Sequence, residues 1–140
     1  MQRWARLWNR RRLLAEASLA LLGAGLRVSL TRGARLAAAL GEPAPGVGLA
    51  LSAQQAATAR EVAWAIELLA LRGPLRTACL GQALAAGTLL RRRGVPYRLS
   101  VGLRRAADGG LRAHAWLRAG DFTVTGGRGR SAFMPVANFD

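Results

Sequence analysis

TACLGQALAAGTLLRRRGVPYRLSVGLRR, residues 77–105, changes its period halfway along and so decides the fold. From Ala78 to Arg93 the pattern is helical, with Leu80, Leu84 and Thr88 on one stripe. Gly94 followed by Pro96 stops that helix. From Tyr97 the period drops to two. Tyr97, Leu99, Val101 and Leu103 alternate with Arg98, Ser100, Gly102 and Arg104, the signature of a half-buried strand. Asp108-Gly109 then predicts a two-residue hairpin turn, and LRAHAWLR, residues 111–118, supplies the returning strand. A helix followed by an antiparallel hairpin predicts an α+β domain in which the helix covers the apolar face of a small sheet.

The same stretch carries the lone cysteine, Cys79, and the returning strand carries the lone histidine, His114. If Thr77 caps the helix, Cys79 falls in its first turn. There the unpaired backbone N–H groups and the helix dipole stabilise a thiolate, and they can hold the oxyanion formed when a carbonyl is attacked. The plain alternative is a small buried cysteine beside an ordinary core histidine. A two-residue turn at Asp108-Gly109 pairs residue 103 with 114 and 101 with 116. That register places His114 and Trp116 with Val101 and Leu103, on the face that meets the helix. A thiol on a helix facing an imidazole on a strand is an acyl-transfer arrangement: the imidazole takes the thiol proton and later protonates the leaving amine.

Upstream, Ser52 and Gln55 have the spacing of a capping box, and Ala59, Val62, Ile66 and Leu69 continue at helical intervals until Gly73-Pro74 ends the run near Arg72. TRGARLAAALGE, residues 31–42, reads as a short helix closed by the turn-rich GEPAPGVG, the best candidate for an internal linker. MQRWARLWNRRR followed by LLAEASLALLGAGL has the outline of a signal peptide. Glu16 inside the apolar run, an overlong basic region with two tryptophans and the lack of a small-x-small cleavage site argue against one. Glu16 and Arg27 also interrupt the apolar stretch, so it reads as a buried or partner-docking helix rather than a membrane span. The expected organisation is one compact domain: an N-terminal helical segment over residues 1–44 and a core over residues 45–140.

The formal net charge is +14, and all 21 basic residues are arginine. Such a surface attracts nucleic acid, anionic membrane or acidic peptide; GC-rich coding plus a solvated surface explains it equally well. The RRR runs at 10–12 and 91–93 have no interleaved aromatic residues to act as stacking platforms, so no nucleic acid partner is expected. One cysteine forms no internal disulfide, nothing points to an oxidising compartment, and a cytoplasmic location is expected. With one histidine and no CxxC, no metal or other cofactor is expected.

PLRTACLGQALAAGTLLRRRGVPYRLSVGLRR together with AHAWLRAGDFTVTGG resembles the transglutaminase-like leader peptidases of lasso peptide biosynthesis, over roughly residues 53–140. The resemblance implies a papain-like cysteine peptidase, with Cys79 as nucleophile and His114 as base and then acid, that removes the leader from a ribosomally made precursor peptide. It also implies a separate leader-binding protein, because the chain has no room for a fused one, and an asparagine-synthetase-like cyclase as the other partner. Trp116 would shape the substrate cleft or pack in the core. Another transglutaminase-like acyl transferase or deamidase, and a non-enzymatic basic module that binds RNA or membrane, remain as alternatives.

Many such enzymes place an acidic residue on the next strand to orient the histidine; the matching position in this chain is Gly126, in TVTGG. Thr123 and Thr125 offer only hydroxyls. Asp121 is a possible third member but belongs to the expected turn after the AHAW strand. Asp140, the final residue of the sequence, would have to fold back. A backbone carbonyl or amide is the remaining way to hold the ring.

Overall fold

A computed structural model defines the fold and describes residues 2–30, 50–71, 79–127 and 134–139. Among these, three helices precede a sheet: α1 (Gln2–Leu30), α2 (Ala53–Leu71) and α3 (Cys79–Arg92), then β1 (Arg98–Arg105), β2 (Leu111–Ala119), β3 (Phe122–Thr125) and β4 (Met134–Phe139). The four strands are antiparallel in the order β3-β2-β1-β4. This is the α+β architecture expected from the sequence, with the helix that carries Cys79 packed on a small antiparallel sheet. The short helix and linker expected between residues 31 and 48, together with Thr77 and Asp140, lie outside the described residues.

Local chemistry explains the helix ends. The Ser52 N–H donates to Gln55 Oε1 at 2.9 Å and the Gln55 N–H donates to Ser52 Oγ at 3.1 Å, the reciprocal capping box. Gln55 Nε2 also donates to the Gly94 carbonyl, tying the start of α2 to the end of α3. At that end, Val95 N–H bonds back to the Leu90 carbonyl and Gly94 N–H to that of Arg91, while Gly94 takes φ +67°. These are the paired bonds of a Schellman stop, and they need a residue at ease in the left-handed region.

Helix α3 is buried more widely than its expected stripe. Leu80, Leu84 and Thr88 are half-buried, whereas Gly81, Ala83, Ala85, Ala86, Gly87, Leu89 and Leu90 are buried. The reason is position: α3 is the centre of the molecule, touching α1 and α2 on some sides and β2 and β3 on another. Small side chains make room for neighbouring groups; at Gly87 an added Cβ would lie 3.1 Å from the Tyr97 ring. Helix α1 lays Leu13, Ala17, Leu21 and Ala24 into the same core as Val62, Ile66, Leu89, Leu90, Leu99 and Leu117. Each fully buried leucine stabilises the fold by about 1.5–3 kcal/mol. Arg93 pins α1 to the end of α3 through a 2.8 Å ion pair with Glu16.

The hairpin differs from the expected register by one residue. Gly102, not Leu103, lies opposite His114, and Ser100 lies opposite Trp116. The loop is longer than two residues. Gly109 N–H bonds to the Ala106 carbonyl, Ala106 N–H bonds to the Gly110 carbonyl, and Gly109 has φ +83°. This is the three-residue loop in which a turn is followed by a left-handed glycine. Asp108 steadies it by accepting from Gly110 N–H at 2.9 Å. One extra loop residue shifts every pairing by one. The odd-numbered Leu99, Ala115, Leu117 and Ala119 therefore join the helical core, while His114 and Trp116 belong by alternation with Ser100 and Gly102. Leu103 is left exposed.

Candidate active site

Cys79 opens α3 and is half-buried. One turn later on the same helix comes Gln82, and both border a cavity of about 420 Å³. Helix α2 contributes Ile66 and Glu67 to its wall, β2 contributes His114, and the stretch Val124–Gly127 closes the side toward the sheet. The structure thus brings the two residues singled out by the sequence to one cavity, with the strand register one residue away from that expected.

The chain leaving β3 accounts for this. Gly120 and Asp121 form a two-residue turn with Gly120 at φ +57°, so Ala119 pairs with Phe122. A bulge between Leu117 and Arg118 then moves the register, and β3 ends at Thr125. Gly126 follows at φ +72°, with its Cα so close to β2 that an added Cβ would overlap the Ala115 carbonyl oxygen and lie 2.9 Å from Trp116 Cα and Cβ. The segment therefore folds across the Trp116 side of β2, and the Gly126 carbonyl reaches the His114 ring, with 2.7 Å between its oxygen and Nε2. A carbonyl accepts and cannot donate, so this bond assigns the proton of the neutral ring to Nε2 and leaves the basic lone pair on Nδ1. Behind the ring stands Trp116, buried and stacked at a centroid distance of 6.0 Å and an interplanar angle of 29°. Trp116 is thus placed as packing for the imidazole, and the cavity wall is made by other residues.

Asp121 is exposed in the β2–β3 turn, where its backbone carbonyl accepts from Arg118 Nη2 at 3.5 Å, and it does not line the cavity. The hydroxyls of Thr123 and Thr125 are likewise not the partner of Nε2; Thr125 Oγ1 is buried without a hydrogen-bond partner among the described residues. Glu67, Gln82 and Thr125 were not singled out from the sequence as wall residues. Glu67 and Gln82 sit inside helices with no motif to mark them, and the Gly-Gly that ends TVTGG is the local sign that the chain can turn there.

A family profile for the transglutaminase-like superfamily matches residues 18–138, and the chain belongs to that superfamily. Its members are typically cysteine-dependent enzymes. The match begins inside α1, so the likeness reaches further toward the N-terminus than the motifs of residues 53–140. No curated protein and no solved structure matches the chain.

Proposed function

We propose that the chain is a cysteine peptidase that cleaves the leader from a ribosomally made lasso precursor peptide, with Cys79 and His114 as its catalytic dyad. The observation that carries this reading is the shared cavity, with the His114 ring held through Nε2 so that Nδ1 is the basic nitrogen. Nδ1 takes the proton from the Cys79 thiol, and the sulfur attacks the scissile carbonyl. The tetrahedral oxyanion is stabilised by backbone N–H groups in the first turn of α3, where the helix dipole is positive. The imidazolium then protonates the departing amine of the core peptide, leaving the leader as a thioester on Cys79. His114 activates a water that hydrolyses the thioester and frees the leader. Gly126 supplies orientation through its carbonyl, where a charged side chain would add electrostatic support as well.

The resemblance to lasso leader peptidases supports the choice of substrate. A separate leader-binding protein tethers the precursor and raises its effective concentration at the cavity, and an asparagine-synthetase-like cyclase closes the ring on the product. Threonine is expected two residues before the cut. Mass spectrometry of a precursor incubated with this chain, with and without the leader-binding protein, tests the proposal. The expected products are free leader and free core, formed slowly by the chain alone and much faster with the binding protein. An intact precursor under both conditions, or a product altered only at a glutamine side-chain amide, contradicts leader cleavage.

A further inference from the structure

Helix α1 has a second face that the core does not use. The stripe that packs inward is Leu13, Ala17, Leu21 and Ala24. On the opposite side Trp4, Trp8, Ala15, Leu19, Leu22 and Leu26 follow one another at intervals of three, four and seven, which brings them onto a single line along the helix. Of these, Trp4 is 71% exposed, Trp8 69%, Leu19 72% and Leu26 62%. From Trp4 to Leu26 the line runs about 33 Å at the rise of an α-helix. An apolar face this long is more than the scattered exposure normal for a soluble surface.

The charge on the same helix identifies what fits it. Arg3, Arg6, Arg10, Arg11 and Arg12 fall within its first turns, and Glu16 is its one acidic residue. That carboxylate is already engaged by Arg12 and Arg93, so the N-terminal half of the helix is uniformly cationic. Tryptophan at the headgroup level, leucine below it and arginine alongside is the composition of a helix that lies in a membrane interface. No described helix is long and apolar enough to cross a membrane.

We propose that α1 docks the protein on an anionic lipid surface, inserting Trp4, Trp8, Leu19, Leu22 and Leu26 while Arg11 and Arg12, which flank that line on the helix, contact acidic headgroups. The proposal stands on α1 alone and does not depend on the chemistry of the cavity. The test is co-sedimentation of the full chain with vesicles of equal parts phosphatidylglycerol and phosphatidylcholine, beside vesicles of phosphatidylcholine alone, with tryptophan emission as a second readout. Partition onto the anionic vesicles with a blue shift is expected, weakening with salt. Replacing Arg11, which lies beside that line, by glutamine should lower the partition coefficient about fivefold. Leu22→Glu with Leu26→Glu, both at exposed positions that leave the core intact, should abolish it. Failure to bind the anionic vesicles, equal binding to both vesicles, or binding undiminished in the folded double-glutamate variant would overturn the proposal.

Discussion

Replacing Gly126 by alanine separates a ring held by the backbone from one that merely lies near it. The residue sits at φ +72°, and its Cβ would overlap the Ala115 carbonyl oxygen and approach Trp116 Cα and Cβ to 2.9 Å. The left-handed conformation costs a non-glycine residue about 1–2 kcal/mol. Forcing a methyl group against backbone that cannot rotate away adds about 1–3 kcal/mol. Gly126→Ala should therefore destabilise the fold by about 2–5 kcal/mol if the segment stays in place. If the segment relaxes, the carbonyl withdraws from Nε2 and the proton is no longer assigned to that nitrogen. The rate should then fall by at least about tenfold and at most about 10⁴-fold, the loss seen when a triad carboxylate is replaced by its amide. Because the chain has one histidine, ring nitrogen NMR reports on His114 without ambiguity. The wild type should show the Nε2–H tautomer with a protected proton, and Gly126→Ala should lose it. Gly127→Ala is the control, since its Cβ would meet only the movable Thr123 methyl at 3.2 Å. A folded Gly126→Ala protein with the same tautomer and an unchanged cleavage rate would refute the reasoning.

Three further outcomes are expected. Asp121→Asn should leave cleavage within a few-fold, because Asn suits the turn as well as Asp and Gly120 already takes the left-handed position; a loss of several orders of magnitude would show that the carboxylate reaches the ring after all. His114→Ala should abolish cleavage in a folded protein, and adding Cys79→Ala should cost nothing more, since the two act as a unit; additive losses measured kinetically would contradict a dyad. Glu16→Gln should lower stability in urea by about 1–2 kcal/mol at neutral pH, the worth of a charged hydrogen bond to Arg93 at a half-buried site. The hydrogen bond from Arg93 is the largest influence and holds the Glu16 carboxyl below its ordinary 4.5; burial opposes it, and the charge of Arg93 and then Arg12 add to the lowering. The stabilisation is therefore fully present above that value and fades as pH falls through the lowered one, so wild type and variant should converge only in acid. A difference independent of pH would point to packing instead.

Where the signal was local, the sequence carried the structure. Ser52 and Gln55 form the capping box their spacing implies, Gly94 forms the expected stop, and β1 and β2 begin and end within a residue of the alternating runs. The faces were harder to read. Asp108-Gly109 marks a turn but does not say that Ala107 joins the loop, and that single residue reverses which side of β2 meets the helices. The stripe of Leu80, Leu84 and Thr88 understates the burial of α3 because a helix contacted on several sides, and built largely of Ala and Gly, has no single apolar face to announce. The partner of His114 has no side-chain signature. The matching residue, Gly126, lacks the expected carboxylate, and its role comes from a carbonyl brought to Nε2 by the left-handed turn.

The central claim, that Cys79 is the nucleophile of a peptide-cleaving dyad with His114, is tested most directly by intact-mass spectrometry of the chain quenched during turnover of a precursor with the leader-binding protein. The account predicts a transient adduct whose mass is the chain plus the leader less water, mapped to Cys79 and absent from Cys79→Ala, which forms no products. Continued cleavage by a folded Cys79→Ala protein would contradict it.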